Sequence, residues 1–134
     1  MGNRETVLDQ VRRAYAARDK GALEDLMDEF HPEAVFTLMG DSKALAVTGS
    51  ALGHSRVKDG MAEFIATFEF VERHFLSELV EGDRAAVHSR ITVRFRPKNT
   101  EHNTEVLDLF KFQDGKIIEL IEFADTALIG KMMS

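Results

Sequence analysis

Three polar side chains stand where the surrounding sequence is greasy. Asp108 lies between Leu107 and Leu109, close to Phe110 and Phe112. A carboxyl on so apolar a segment is costly to bury as an anion. It must be paired or have its pKa raised, and a raised pKa suits general acid–base chemistry near neutral pH. The plainer alternatives are an aspartate on a partly wet face, or one tied structurally to an arginine. Glu122 is the second candidate. Ile118, Leu120, Glu122 and Ala124 alternate onto one side of their segment, and Ile117, Glu119, Ile121 and Phe123 onto the other. It reads equally well as a solvated charge on a sheet. Tyr15 is the single tyrosine and carries a phenolic hydroxyl that can donate a hydrogen bond.

Other chemistries find little support. The 134 residues contain no cysteine, which excludes disulfides, thiolate catalysis, cysteine-based zinc sites and iron–sulfur clusters. The histidines His31, His54, His74, His88 and His102 have no metal-ligand spacing, so no metal is expected. His88 alternates with Arg90, Thr92 and Arg94 and reads as an outer-face residue. His54 precedes a helix and could reach a pocket mouth, and His31 before Pro32 reads as a helix end. No glycine-rich phosphate loop or nucleophile elbow is present. A net charge of −6 argues against nucleic acid as a partner. The uncharged stretch 44–53 is too short and polar for a membrane span. The amino-terminal residues lack an apolar signal core, so the expected compartment is cytoplasmic.

The elements that must position these residues follow from periodicity. The length suits one domain, residues 1–134. Residues 5–18 predict a helix, with Asn3 as its N-cap, Val7, Leu8, Val11 and Tyr15 inward, and Arg12, Arg13 and Arg18 mostly on other faces. Lys20-Gly21 breaks it. A second helix carries Leu23, Leu26, Met27 and Phe30 and stops at His31-Pro32. Residues 34–39 predict a strand, and 43–53 a weak one. Residues 55–70 predict a third helix, with Val57, Met61, Phe64, Ile65 and Phe68 on one face. Strands then follow over 73–80, 84–96, 105–112 and 117–123. The longest alternates strictly, with Ala85, Val87, Ser89, Ile91, Val93 and Phe95 on one side. Gln113-Asp114-Gly115-Lys116 is a hairpin signal. Helices followed by antiparallel strands indicate an α+β fold.

The ordered segments AYAARDKGALEDLMDEFHPEAVF, GHSRVKDGMAEF, EGDRAAVHSRITVRF and EVLDLFKFQDGKIIELIEFAD resemble the nuclear transport factor 2-like superfamily, and within it the SnoaL-like polyketide cyclase and ketosteroid isomerase branch. The resemblance spans about residues 5 to 125. It implies a strongly curved antiparallel sheet forming a cone, a cystatin-like α+β roll, with three helices of the amino-terminal half on its concave side. It also implies an apolar pocket at the open end and a homodimer through the outer sheet face. Ten phenylalanines and no tryptophan fit a dry pocket. The implied lining is Phe36, Leu38, Met61, Phe64, Phe68, Val87, Ser89, Ile91, Val93, Phe110 and Leu120, with Phe95 and Phe112 nearby.

The same resemblance bears on the polar residues. Asp108 matches the acid that ketosteroid isomerases keep neutral to hydrogen-bond an oxyanion. Glu122 stands where a catalytic Asp falls in limonene epoxide hydrolases, and Asp125 matches the final Asp of that segment. Three features depart. The isomerase general base falls on Leu38, which cannot take a proton. The oxyanion tyrosine falls near Ala14, about 100° around the helix from Tyr15. The Arg-x-Asp pair of the epoxide hydrolases falls on Ser89 and Ile91. The implied function is a cofactor-free isomerase or cyclase acting on a small apolar carbonyl compound, with Asp108 and Glu122 as acid or base and Tyr15 as donor. The alternatives are a non-catalytic small-molecule-binding or dimerisation module, and an epoxide hydrolase-like enzyme.

Overall fold

The computed structural model describes residues 4–134. Its elements are α1 (Arg4–Lys20), α2 (Leu23–Met27), β1 (Phe30–Leu38), β2 (Gly49–Leu52), α3 (His54–Thr67), β3 (Phe68–Glu81), β4 (Arg84–Phe95), β5 (Thr100–Gln113), β6 (Lys116–Phe123) and α4 (Thr126–Met133). The expected N-cap Asn3 lies outside the described residues. The six strands form one curved, unclosed sheet in the order β2-β1-β6-β5-β4-β3, an α+β cone. Every neighbouring pair is antiparallel except β1 and β6, which run parallel and join the two ends of the chain.

Helix α1 buries Val7, Leu8, Val11, Ala14 and Tyr15, the stripe its 3.6-residue period predicts. It ends at Gly21, whose φ of 72° is left-handed. Gly21 N donates to Arg18 O, and Ala22 N donates to Ala17 O at 2.9 Å. This paired pattern closes a helix and favours glycine because no Cβ crowds the turn. Between β5 and β6, Asp114 and Gly115 both have positive φ and make the expected two-residue hairpin.

Several boundaries differ from the periodicity. Phe30 begins β1 instead of ending α2, and His31 with Pro32 lies inside that strand. Ile117 N donates to Glu29 O, so pairing with β6 pulls this segment out of the helix. Sheet pairing is irregular between Phe30 and Val35, where a proline without an N–H is tolerated. Only residues 49–52 of the weak 43–53 segment form a strand. Phe68 is not on α3 but opens β3, which starts five residues earlier than expected. Carboxy-terminal helix α4 was not legible as an amphipathic stripe, and it buries Met132.

Strand β4 buries Ala85, Val87, Ser89, Ile91, Val93 and Phe95, as its alternation predicts. Strand β6 departs from strict alternation. Ile117 and Leu120 both reach the core, because a register shift between Lys111 and Phe112 changes which side faces inward. Two apolar clusters result. One joins α1, α2 and α3 to β1, β5 and β6. The other sets Met132 of α4 against Phe68, Ile91, Val93, Phe95 and Val106. Among the described residues, no helix is long and apolar enough to cross a membrane.

Candidate functional site

Between the two clusters lies a cavity of about 100 Å³. That exceeds by several-fold the ~10–15 Å³ that one water needs. Its wall is mostly aromatic and aliphatic. The sheet contributes Phe36, Leu38, Phe68, Phe70, Ile91, Val93, Val106, Phe110 and Leu120; α3 contributes Met61 and Phe64, and α4 contributes Leu128, Ile129 and Met132. Edge-to-face and tilted ring contacts link Phe36 to Phe64 and Phe64 to Phe68, at centroid separations of 5.9 and 6.3 Å.

Register explains why the carboxyls meet. Val87 of β4 pairs with Asp108 of β5, Asp108 pairs with Glu122 of β6, and Glu122 pairs with Leu38 of β1. Directly opposed residues project to the same face of a sheet, about 5 Å apart at Cβ. Asp108 and Glu122 therefore enter the cone side by side, with Leu38 on the next strand.

Asp108 is 1% exposed. Tyr15 donates its hydroxyl to Asp108 Oδ2 at 2.6 Å, while Asp108 Oδ1 is buried without a donor. Burial raises the Asp108 pKa well above the usual carboxylate range. Glu122 raises it further through its charge and as a hydrogen-bond partner, against smaller lowering effects of Tyr15 and Arg73. A proton on Asp108 spares the pair two facing negative charges. Burial, and then the charge of Asp108, likewise push the Tyr15 hydroxyl well above its ordinary value.

Two arginines complete the polar set. Asp19 holds Arg73 through Nε at 2.9 Å and Nη2 at 3.0 Å. The Arg73 guanidinium lies 4.1 Å over the Tyr15 ring and leaves Nη1 buried without an acceptor. Arg18 donates Nη2 to the carbonyl oxygens of Phe64 and Phe68 and lies 3.9 Å over the Phe70 ring. Burial lowers its pKa to about 10.

The cavity thus gathers Tyr15, Asp108 and Glu122 with Phe36, Leu38, Met61, Phe64, Phe68, Ile91, Val93, Phe110 and Leu120. Val87 and Ser89 are fully buried on the same face but do not reach the wall. Val87 belongs to the same buried cluster as Val7 and Val11 of α1. The Ser89 hydroxyl is buried without a partner. Phe95 and Phe112 are core residues rather than lining. His54 also stays outside; its Nε2 lies 3.0 Å from Met27 O. His88 is on the outer face, 2.6 Å from Glu105.

The periodicity sets Arg18 mostly on another face than Val11 and Tyr15, yet it lines the cavity one helical turn after Tyr15. That i,i+3 spacing was the available signal. Arg73 carried no such signal. A bulge between Phe70 and Glu72 shifts the alternation, so Phe68, Phe70 and then Arg73 face the cavity. Among the described residues, no three His, Asp or Glu side chains converge as a metal site.

The SnoaL-like domain family matches residues 11–120. No curated protein sequence matches the chain. Among solved structures, a candidate isomerase from Bacillus subtilis superposes with a TM-score of 0.87 at 10% identity, covering 99% of this chain and 96% of that one. TerC, co-crystallised with polyporic acid, gives 0.79 at 17% identity, with 96% and 99% covered. An LEH-like epoxide hydrolase from M. tuberculosis gives 0.75 at 13% identity, with 96% and 89% covered. Identities this low speak for the fold.

Proposed function

Because the chain belongs to the SnoaL-like domain family, we propose that it is an isomerase or cyclase for a small apolar carbonyl compound bound in the cone. The observation that carries this reading is the buried Asp108, held by Tyr15, beside the half-buried Glu122 in a mostly apolar cavity. A neighbour of the same fold was co-crystallised with polyporic acid, which supports a small organic ligand.

The chemistry follows from the two environments. Glu122, as carboxylate, takes a proton from the carbon beside the carbonyl. The bonding electrons move onto the carbonyl oxygen. Asp108, kept protonated by burial, donates through Oδ1 to that oxyanion. Tyr15 holds the other oxygen of Asp108 and fixes its direction, a positioning role. Return of the proton from Glu122 to another carbon completes an isomerisation; in a cyclisation the enolate carbon attacks a second carbonyl as the first C=O re-forms, and the new alkoxide takes the proton held by Glu122. Glu122 then serves as the base on the strand beside Leu38.

The test uses 2-tetralone, an apolar ketone with exchangeable α-protons. Proton NMR in D2O follows deuterium incorporation. The wild-type protein is expected to accelerate exchange, and Asp108→Asn and Glu122→Gln to lose it by about 10²-fold or more. Equal exchange with and without protein overturns the catalytic reading. Leu38 at the isomerase base position favours the second reading, a binding module without turnover, which predicts binding of the ketone and no exchange. The epoxide hydrolase reading lacks its Arg-x-Asp pair, since Ser89 and Ile91 carry no charge.

A homodimer through the outer sheet face accompanies the proposal. Leu107 and Phe123 pair across strands there and are both exposed, with Leu79 67% exposed on β3. Sedimentation velocity is expected to give a dimer that Leu107→Lys dissociates, and a wild-type monomer overturns it.

A further inference from the structure

The acids around the cavity are all committed. Asp19 holds Arg73 in a bidentate pair. Asp108 takes the Tyr15 hydroxyl, and Glu122 is bound up with Asp108. Asp125 caps α4 by accepting from Leu128 N at 3.1 Å. Arg18, in the same wall, has no carboxylate at ion-pair distance among the described residues. Its hydrogen bonds go to two neutral carbonyls, those of Phe64 and Phe68, and its flat face rests on Phe70. These contacts fix the guanidinium and leave its charge unmatched. Glu122 and Asp19 act on it only through space, opposed by Arg73 and Arg96.

A desolvated cation in an apolar wall is costly unless an anion meets it. Surface arginines escape this cost by turning to water. Arg18 cannot turn away, because its backbone acceptors and the Phe70 ring hold it. A guanidinium fixed by one nitrogen keeps further N–H donors for a planar oxyanion.

We propose that Arg18 is the anchor for an acidic head group, so that the ligand of this cavity is an apolar ring or chain carrying a carboxylate or an equally acidic enol. This deepens the proposed function and rests on the cone holding a ligand at all. The head group sits against Arg18, and the apolar body lies among Phe36, Phe64, Phe68 and Phe110. The reacting carbonyl is then presented to Asp108 and Glu122. Binding energy from the anion–Arg18 contact orients the carbonyl without taking part in the proton transfer.

The probes are 4-butylbenzoate and its isosteric neutral amide, 4-butylbenzamide, titrated calorimetrically into the full chain at pH 7. The wild-type protein is expected to bind the acid at least about tenfold more tightly than the amide, the effect of one charge-assisted hydrogen-bonded contact. Arg18→Gln keeps a donor for the Phe68 carbonyl and removes the charge. It is expected to bind the amide as the wild type does and to lose the preference for the acid. Equal affinity for the two compounds in the wild type overturns the proposal even if Arg18→Gln does not fold. A preference that survives in Arg18→Gln also overturns it. In both cases the carboxyl-pair mechanism stands. Failure of both compounds to bind overturns the ligand-holding reading of the cone together with this inference.

Discussion

Replacing Asp108 with asparagine is expected to remove a pH dependence from folding. In the unfolded chain this carboxyl has its ordinary pKa near 3.8, whereas in the folded protein burial, and then Glu122, raise it well above that. The folded state therefore holds a proton that the unfolded state releases. Stability contributed by that proton is complete below about pH 4 and is lost as pH rises through the folded pKa. One linked proton limits the loss to about 1.4 kcal/mol per pH unit. Asparagine has the shape of the protonated acid. Its oxygen accepts from Tyr15 as Asp108 Oδ2 does, but it has no proton to lose. The stability of Asp108→Asn relative to wild type should therefore climb with pH, by up to about 1.4 kcal/mol per unit, so that the variant is the more stable at pH 8. Urea unfolding at constant ionic strength from pH 5 to pH 8 measures both curves. For a chain of this length each kcal/mol corresponds to about 4 °C in Tm, so thermal scans provide a second reading. Parallel curves, or a variant that loses ground as pH rises, would refute the assignment of a buried protonated Asp108.

Further perturbations test the surrounding shell. Tyr15→Phe leaves Asp108 Oδ2 without its donor in a fully buried site and is expected to cost about 1–3 kcal/mol in urea unfolding. Asp19→Asn strips the counter-charge from Arg73, whose side chain is only 6% exposed. A loss of about 3–5 kcal/mol is expected from leaving that cation unpaired, and an unchanged urea midpoint would show that Asp19 does not hold it. Met132→Ala removes the α4 side chain that seals the second cluster and should cost about 2–5 kcal/mol. The same variant is expected to increase the fluorescence of a naphthalene sulfonate dye as the cavity opens.

Much of the architecture was legible because it depends on local chemistry. The stripe Val7, Leu8, Val11 and Tyr15 required one amphipathic helix. Gly21 required its end, because only glycine enters the left-handed region cheaply. The strict alternation of 84–96 required a half-buried strand, and Asp114-Gly115 required a hairpin. The boundaries that moved did so under non-local forces. Phe30 fits the α2 stripe equally well, but the edge of β6 offers backbone partners that a one-turn helix extension cannot match. Phe68 fits the α3 face, but β4 takes it into the sheet opposite Phe95.

The sequence by itself determined that Asp108 would be expensive to ionise, since an aspartate amid leucine and phenylalanine must be neutralised or paired wherever the strand goes. It also determined the apolar character of the cone and the absence of thiol chemistry. Only the tertiary structure decided which groups meet that aspartate. Register across three strands sets Glu122 beside it, and helix packing brings Tyr15 from 93 positions away. A single bulge in β3 turns Arg73 inward, and Arg18 enters the wall because α1 lies against the carbonyls of Phe64 and Phe68. None of these contacts follows from local periodicity. Each depends on an insertion, a register or a crossing that forms when distant segments pack, and the same packing leaves Arg18 as the one cavity-lining arginine without a carboxylate among the described residues.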